Sequence, residues 1–338
     1  MRQVATSANV SLQTVSNYVN GRHHLMSEET RDRVGRELEA LGYWPNAAAR
    51  TLRARRSMTL GFLLVDESSA FLADRMTDLI IAGIGDVARD AGYSVLIQGA
   101  SPEPDRVDGL FAPLLENRVD GAILFLSGKP ALRRRVVRRI TELGFACVVF
   151  ERFPASWSVS SVTADNREGT RRLVEHLISK GHRRIGFMST RTPWPMADER
   201  ILGYRDGLKG AGIAFDAELE VAHGVWNPTD GSAMAQHLLS LADRPTAIMG
   251  ANDLLALGAI QAAKNLGLRV PQDVAVTGFN DFEFAEFVEP PLTSVAVPGY
   301  ELGRIAALTL LEQLVPGQVP QGPTQVNLAV ELKLRDSS

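Results

Sequence analysis

Val10-Ser11-Leu12-Gln13-Thr14-Val15-Ser16-Asn17-Tyr18-Val19-Asn20 reads as a short helix with a marked start and a marked face. Ser11 is a residue type that caps helix N-termini, because its hydroxyl accepts one of the N–H groups left unpaired in the first turn. Val15 and Val19, four residues apart, share one face, whereas Leu12, Gln13, Ser16, Asn17 and Asn20 lie outside it. Residues 2–8 fit an earlier helix, which Asn9, tolerant of the left-handed region, breaks. Ser27 should cap a third helix running to Leu41, with Val34, Leu38 and Leu41 inward and Gly42 as its stop. Three short helices with inward valines and leucines make a helix-turn-helix head, which offers the polar face of its second helix to a DNA groove.

Charge distribution supports a nucleic-acid-binding head more than total charge does. The 338-residue chain carries a formal net charge of −3, but residues 1–57 hold nine Arg and five acids, leaving the remainder acidic. A basic head on an acidic body suits a protein whose head alone meets a polyanion. Cys147 is the only cysteine and sits among apolar neighbours, so it reads as an inert core thiol in a chain without disulfides. No apolar run reaches the ~18 residues a membrane span needs, so a cytoplasmic chain with no membrane partner is expected.

From Thr59 onward short apolar runs alternate with amphipathic segments. Strands are predicted over 60–65, 93–98, 121–126 and 147–150, with helices over 74–91, 105–117 and 131–143. A second series places helices over 169–180, 198–211, 230–241 and 253–266 and strands over 184–188, 247–250 and 274–278. Such alternation means parallel sheets covered on both faces. Two series imply two similar α/β lobes facing across a cleft.

The segments VSLQTVSNYVNG, SEETRDRV, LEALGYWPNAAARTL, VTADNREGTRRLVEHLISKGHRRIGF, DERILGYRDGL, ANDLLALGAI, VPQDVAVTGFND and PPLTSV occur in this order along nearly the whole chain. In order and spacing they resemble the LacI-type bacterial transcription regulators, whose bodies are similar to periplasmic sugar-binding proteins. The resemblance implies an α/β protein with a small all-α helix-turn-helix head (1–45), a hinge helix and linker (46–57) and a two-lobed body (58–335). One lobe would comprise roughly 58–163 and 296–323, the other 164–292 and 324–335. It also implies a pseudo-palindromic double-stranded operator, a homodimer without tetramerising leucine heptads, and a small sugar- or polyol-like effector. The activity implied is ligand-controlled repression, with no enzymatic step, metal or cofactor.

Residue by residue, the resemblance assigns base reading to Leu12, Gln13 and Asn17. Gln and Asn can bond adenine bidentately, and Leu can pack on a thymine methyl. Thr14, Ser16 and Asn20 would bond phosphates and set the register. Asn17 replaces an Arg common in the family, so the operator is expected to differ from the usual type. The family usually carries a threonine and an apolar residue before the equivalent of Arg2, so either the natural start is expected a few residues upstream or that phosphate contact is missing. His23 and His24 lack a third ligand at zinc spacing and read as backbone-contacting loop residues. The eight residues of 46–53 are too few for a stable isolated helix. In the family this helix forms on the minor groove, where Leu52 would wedge between base pairs, Ala49 would admit its partner helix, and Arg50 would attract phosphate.

In the body, cleft contacts are expected from Phe71, Leu72, Glu151, Arg152, Arg200, Trp226, Asn252, Asp253 and Asn280. Arg200 would fork onto hydroxyls or a carboxylate, and Phe71 or Leu72 and Trp226 would cover a sugar ring. Asn280 replaces an Asp found in many members, so an amide stands where a carboxylate would hold sugar hydroxyls. Asp165 and Asn166 read as holding the crossover between lobes, His182 as a strand-start residue, and Trp194 as a lid or an exposed ring. Gly83-Ile84-Gly85-Asp86-Val87-Ala88 mimics a dinucleotide fingerprint but lies inside a helical run. No activated nucleophile, paired acids or metal cluster points to an enzyme.

Overall fold

The computed structural model describes residues 1–19, 21–43, 56–66, 72, 74–101, 103, 107–315 and 322–338. The expectations on Asn20, on the 46–53 helix with Ala49, Arg50 and Leu52, and on Phe71 therefore lie outside the described residues. Contacts divide the chain into Met1–Ser57 and Met58–Ser338.

The first unit contains α1 (Arg2–Ser7), α2 (Leu12–Val19) and α3 (Glu28–Ala40). Its core is Val4, Ala5, Ala8, Val15 and Val34, with Val10, Tyr18, Val19, Leu38 and Tyr43 packed on it. The Ser11 hydroxyl accepts from Thr14 N–H at 3.0 Å and that of Ser27 from Thr30 N–H at 3.3 Å, so both predicted caps form. Glycine in mid-helix at 35 has a packing reason: a Cβ there would meet the Tyr18 hydroxyl at 2.6 Å. Leu41 corrects the expected inner face. It follows the last helical residue and is exposed, while Gly42 takes a positive φ and the Tyr43 N–H returns to the Leu38 carbonyl. That C-terminal motif turns Tyr43 onto the core in its place.

The second unit opens with β1 (Thr59–Val65), buried on both faces from Leu60 on, as a central parallel strand requires. Then come α4 (Arg75–Asp90), β2 (Ser94–Ala100), α5 (Ala112–Leu115), β3 (Gly121–Leu126), α6 (Pro130–Glu142), β4 (Ala146–Val149) and β5 (Ser160–Ala164). The single helix expected over 105–117 is instead a 3-10 turn, Asp108–Phe111, leading into α5. Pro113 falls in the first turn of α5, where its missing N–H costs no intrahelical bond, so the helix restarts there after the 3-10 turn. The second lobe runs through α7 (Asn166–Ser179), β6 (Ile185–Ser189), α8 (Pro195–Gly210), β7 (Glu220–Ala222), α9 (Pro228–Leu239), β8 (Ala247–Gly250), α10 (Asp253–Asn265) and β9 (Ala275–Thr277). The chain finishes with β10 (Ser294–Ala296), α11 (Gly299–Gln313), β11 (Gln325–Leu328) and β12 (Glu331–Lys333).

The strands form a six-stranded parallel sheet, β11-β5-β4-β3-β1-β2, a four-stranded parallel sheet, β7-β6-β8-β9, and an antiparallel pair, β10-β12. β11 corrects the expected lobe boundary, since 325–328 belongs to the first lobe. It pairs in parallel with β5, Gln325 to Ser161 through Leu328 to Ala164, and satisfies the backbone groups along an edge that β5 would otherwise leave open. The chain thus passes between the lobes three times: after β5, between β10 and α11, and between β11 and β12. Helix α11 lies against α4 at glycine contacts. A Cβ on Gly83 would collide with the Tyr300 carbonyl and one on Gly303 with that of Ile80. Gly83 therefore serves helix packing, as its place in a helical run suggested. Cys147 is buried in the first-lobe core, and burial pushes its thiol up to about 12.

Candidate functional site

Parallel strands direct their carboxyl ends, and the loops that follow, to one edge of each sheet. Here the two edges face each other around a cleft of about 700 Å³. Its walls come from strand exits: Glu151 and Arg152 after β4, Asp165 and Asn166 after β5, Thr190 and Trp194 after β6, Trp226 after β7, Asn252 after β8 and Asn280 after β9. This volume falls within the range typical of small-molecule sites.

Arg200, on the second turn of α8, forms the floor. Its Nε donates to Asn166 Oδ1 at 2.9 Å, Nη1 to the Ala251 carbonyl at 2.5 Å and Nη2 to Asn280 Oδ1 at 2.9 Å. The Phe279 ring lies 3.9 Å from the guanidinium carbon. Burial brings the Arg200 pKa down to about 9, with the charges of Asp253 and Asp74 working the other way. The cation persists at neutral pH.

A second arginine, absent from the sequence reading, ties the walls together. Arg133 on α6 is 3% exposed. Its Nε and Nη2 donate to the two carboxylate oxygens of Glu151 at 2.9 and 3.1 Å, and Nη2 also reaches Asp198 of α8 at 3.3 Å. Nη1 donates to the Gly128 carbonyl at 2.5 Å. Burial raises the pKa of both Glu151 and Asp198 against the lowering pull of Arg133. The only hint in sequence is positional, since Arg133 falls on the apolar stripe of α6 with Val136, Val137 and Ile140.

Six expected contacts meet at the cleft: Glu151, Arg152, Arg200, Trp226, Asn252 and Asn280. Glu151 spends both oxygens on Arg133, and Arg152 donates to Thr163 Oγ1 at 3.4 Å. Asp253 is a correction. It does not line the cleft but is fully buried, where it accepts from Phe282 N–H at 2.8 Å and the Ser294 hydroxyl at 2.5 Å. Burial lifts its carboxyl to about 7. Leu72 is a second correction, being exposed and outside the cleft lining. Asn166 combines two roles, since it accepts from Arg200 and donates to the Ala164 carbonyl at the crossover. Trp194 is not an exposed ring. It is buried against Phe125 of the other lobe, with ring centroids 4.8 Å apart. His182 lies three residues ahead of β6, with its Nδ1 2.9 Å from Thr246 Oγ1.

In the head, Leu12 and Gln13 project from α2 into solvent. The Gln13 amide donates to Asn17 Oδ1 at 3.0 Å, so these two candidate readers are mutually oriented. Thr14 belongs to the cap, with its hydroxyl 2.9 Å from that of Ser11. Ser16 and Asn17 are half-buried on the same helix. Among the described residues no helix is long and apolar enough to cross a membrane.

Residues 1–46 match the family described as bacterial regulatory proteins, lacI family, and residues 174–338 match a periplasmic binding protein-like domain. The chain is 31% identical to the HTH-type transcriptional repressor CytR of Escherichia coli K12 over 338 residues, covering 100% of this chain and 96% of the relative. It superposes on the lac repressor dimer bound to operator and the anti-inducer ONPF with a TM-score of 0.84 at 29% identity, covering 99% and 97% of the two chains. A transcriptional regulator CelR–cellobiose complex gives a TM-score of 0.75 at 30% identity, with 99% and 98% covered.

Proposed function

This chain belongs to the LacI family of bacterial regulatory proteins, and we propose that it represses transcription from a pseudo-palindromic operator until a sugar-like effector enters the cleft around Arg200. The observation that carries this reading is the buried guanidinium of Arg200, held by three acceptors at the floor of a cavity made from strand exits of both lobes. Trp226 supplies an aromatic wall of the kind that covers a sugar ring.

Operator reading falls to Leu12, Gln13 and Asn17 in the major groove, with Thr14, Ser16 and Asn20 setting register on phosphates. The 46–53 segment pairs with that of a second copy in the minor groove. There Leu52 kinks the duplex, Ala49 admits the partner helix and Arg50 adds salt-sensitive attraction. A palindrome requires a two-fold symmetric reader, hence the homodimer. Effector and operator binding are then linked through the arrangement of the lobes, and each changes the affinity for the other by the same factor.

The test pairs operator binding with effector binding. The full chain is titrated onto an operator selected from random DNA, with and without each member of a sugar panel, and melting temperature is followed in parallel. A sugar that both raises the melting temperature and changes operator affinity supports the reading. Arg200→Ala should remove the sugar response and leave operator binding intact; a retained response would place the effector elsewhere.

A further inference from the structure

Two arginines of the body are buried, Arg133 and Arg200, and a third, Arg335, is largely covered; they are treated differently. Arg133 is neutralised by Glu151 and Asp198, and Arg335 by Asp281 and Glu286. Arg200 is 4% exposed, yet among the described residues it forms no ion pair. Its three acceptors are all neutral: an asparagine oxygen, a backbone carbonyl and a second asparagine oxygen. Asp253 and Asp74 lie near enough to act on its charge without touching it. Their carboxylates are committed to Phe282 and Ser294 and to the first turn of α4, respectively. A buried charge without a contacting counter-ion is costly unless something supplies one.

The hydrogen-bond polarity of the floor indicates what that is. Arg200 has five N–H groups and no acceptor, and three are used, so two remain on its terminal nitrogens. Because Asn280 gives its oxygen to Arg200, its NH2 is the group left for the cleft. Asn252 caps α10 by accepting Leu255 N–H at 2.9 Å, so it too has its NH2 left. Asn166 is used on both sides. The polar groups left over on Arg200 itself and on the amides of Asn252 and Asn280 are therefore donors, and the free acceptors of the cavity are carboxylates such as Asp74 Oδ2. A carboxylate accepts from these donors on both oxygens and matches the planar fork of a guanidinium, and it supplies the contacting counter-ion that Arg200 lacks.

Resting on the effector cleft proposed above, we propose that the effector is a sugar acid, a uronate or aldonate, whose carboxylate docks on the free edge of Arg200 and on the amides of Asn252 and Asn280. A phosphate fits less well. Of the other cleft arginines, Arg133 is engaged by Glu151 and Asp198 and Arg167 by Asp206, while Arg152 bonds the neutral Thr163 hydroxyl. Asp74, Asp165 and Glu199 also line the cavity and oppose a second negative charge.

The test is calorimetric titration of the full chain with D-galacturonate, D-glucuronate and D-gluconate, each against D-galactose or D-glucose, and with D-glucose 6-phosphate. At least one acid should bind ~10-fold or more tightly than its neutral partner, the size expected of a charge-assisted hydrogen bond. Asn280→Asp builds the missing counter-ion into the protein, so acid binding should fall by a similar factor while neutral-sugar binding rises. If neutral sugars bind as well as the acids, or the phosphate binds best, the carboxylate assignment is overturned and the effector cleft stands. If no member of the panel binds, both fail.

Discussion

Arg133 and Asp198 lie 3.3 Å apart across the cleft, the first on α6 of one lobe and the second on α8 of the other. The same guanidinium holds both oxygens of Glu151 within its own lobe. Two further contacts join the lobes nearby: Gly128 N–H donates to the Pro193 carbonyl at 2.8 Å, and Phe125 packs on Trp194. Lobe closure is therefore held by groups of the chain itself, at the rim of the space where the effector is proposed to bind. A change there acts on binding without touching the ligand.

Asp198→Asn should loosen closure and leave the fold intact. Asp198 is nearly half exposed, so solvent screening limits its share of the contact. We expect effector affinity to drop by ~2–5-fold, as for a surface-type ion pair. Titration calorimetry measures this, and an unchanged affinity would remove the contact from the closure mechanism.

Glu151→Ala is expected to be more damaging, because it strands the buried Arg133 with Asp198 alone. A loss of about 3 kcal/mol in unfolding free energy is expected, near the low end for breaking a buried pair. The double variant Arg133→Met, Glu151→Leu should lose less than the single one, since it removes the charge as well as its partner. Urea denaturation of the three proteins decides the order.

Stability should fall as pH rises from about 4 to 7, through Asp253. Burial lifts this carboxyl from its ordinary 3.8 to about 7. Between these values the folded chain keeps a proton that the unfolded chain has released, so raising the pH favours unfolding. One such group contributes a slope of at most ~1.4 kcal/mol per pH unit. Asp253→Asn should flatten that part of the profile in denaturation measured at unit pH steps; an unaltered slope would assign it to other groups.

Gln13→Ala should relax base preference at one position of each operator half-site, by ~1–3 kcal/mol of discrimination. Because Gln13 donates to Asn17, the Asn17→Ala variant is expected to disturb the same position through Gln13. Binding selection from random DNA with each variant reads both effects. Preferences that change at two unrelated positions would mean the residues read independently.

Much of this protein was legible from local sequence, because the controlling interactions are themselves local. Ser11 and Ser27 cap helices whose N–H groups lie three residues away. The alternation of apolar runs and amphipathic helices is likewise a short-range pattern, and it sufficed to predict two parallel-sheet lobes around a cleft. The family resemblance then named Arg200, Asn252 and Asn280 as cleft residues, and all three line the cleft. What the tertiary structure alone decided depends on partners far along the chain. Arg133, one of three consecutive arginines, becomes a buried hub because it meets Glu151 and Asp198, 18 and 65 residues away. Asp253, beside Asn252 in sequence, turns inward because Phe282 and Ser294 offer it donors there. β11 joins the first lobe because the open edge of β5 needs a partner. Propensity and capping act over one helical turn, whereas burial, charge pairing and edge satisfaction act only once distant segments have met. The type of each site residue was set by sequence, and whether it faces the cleft or the core was set by packing.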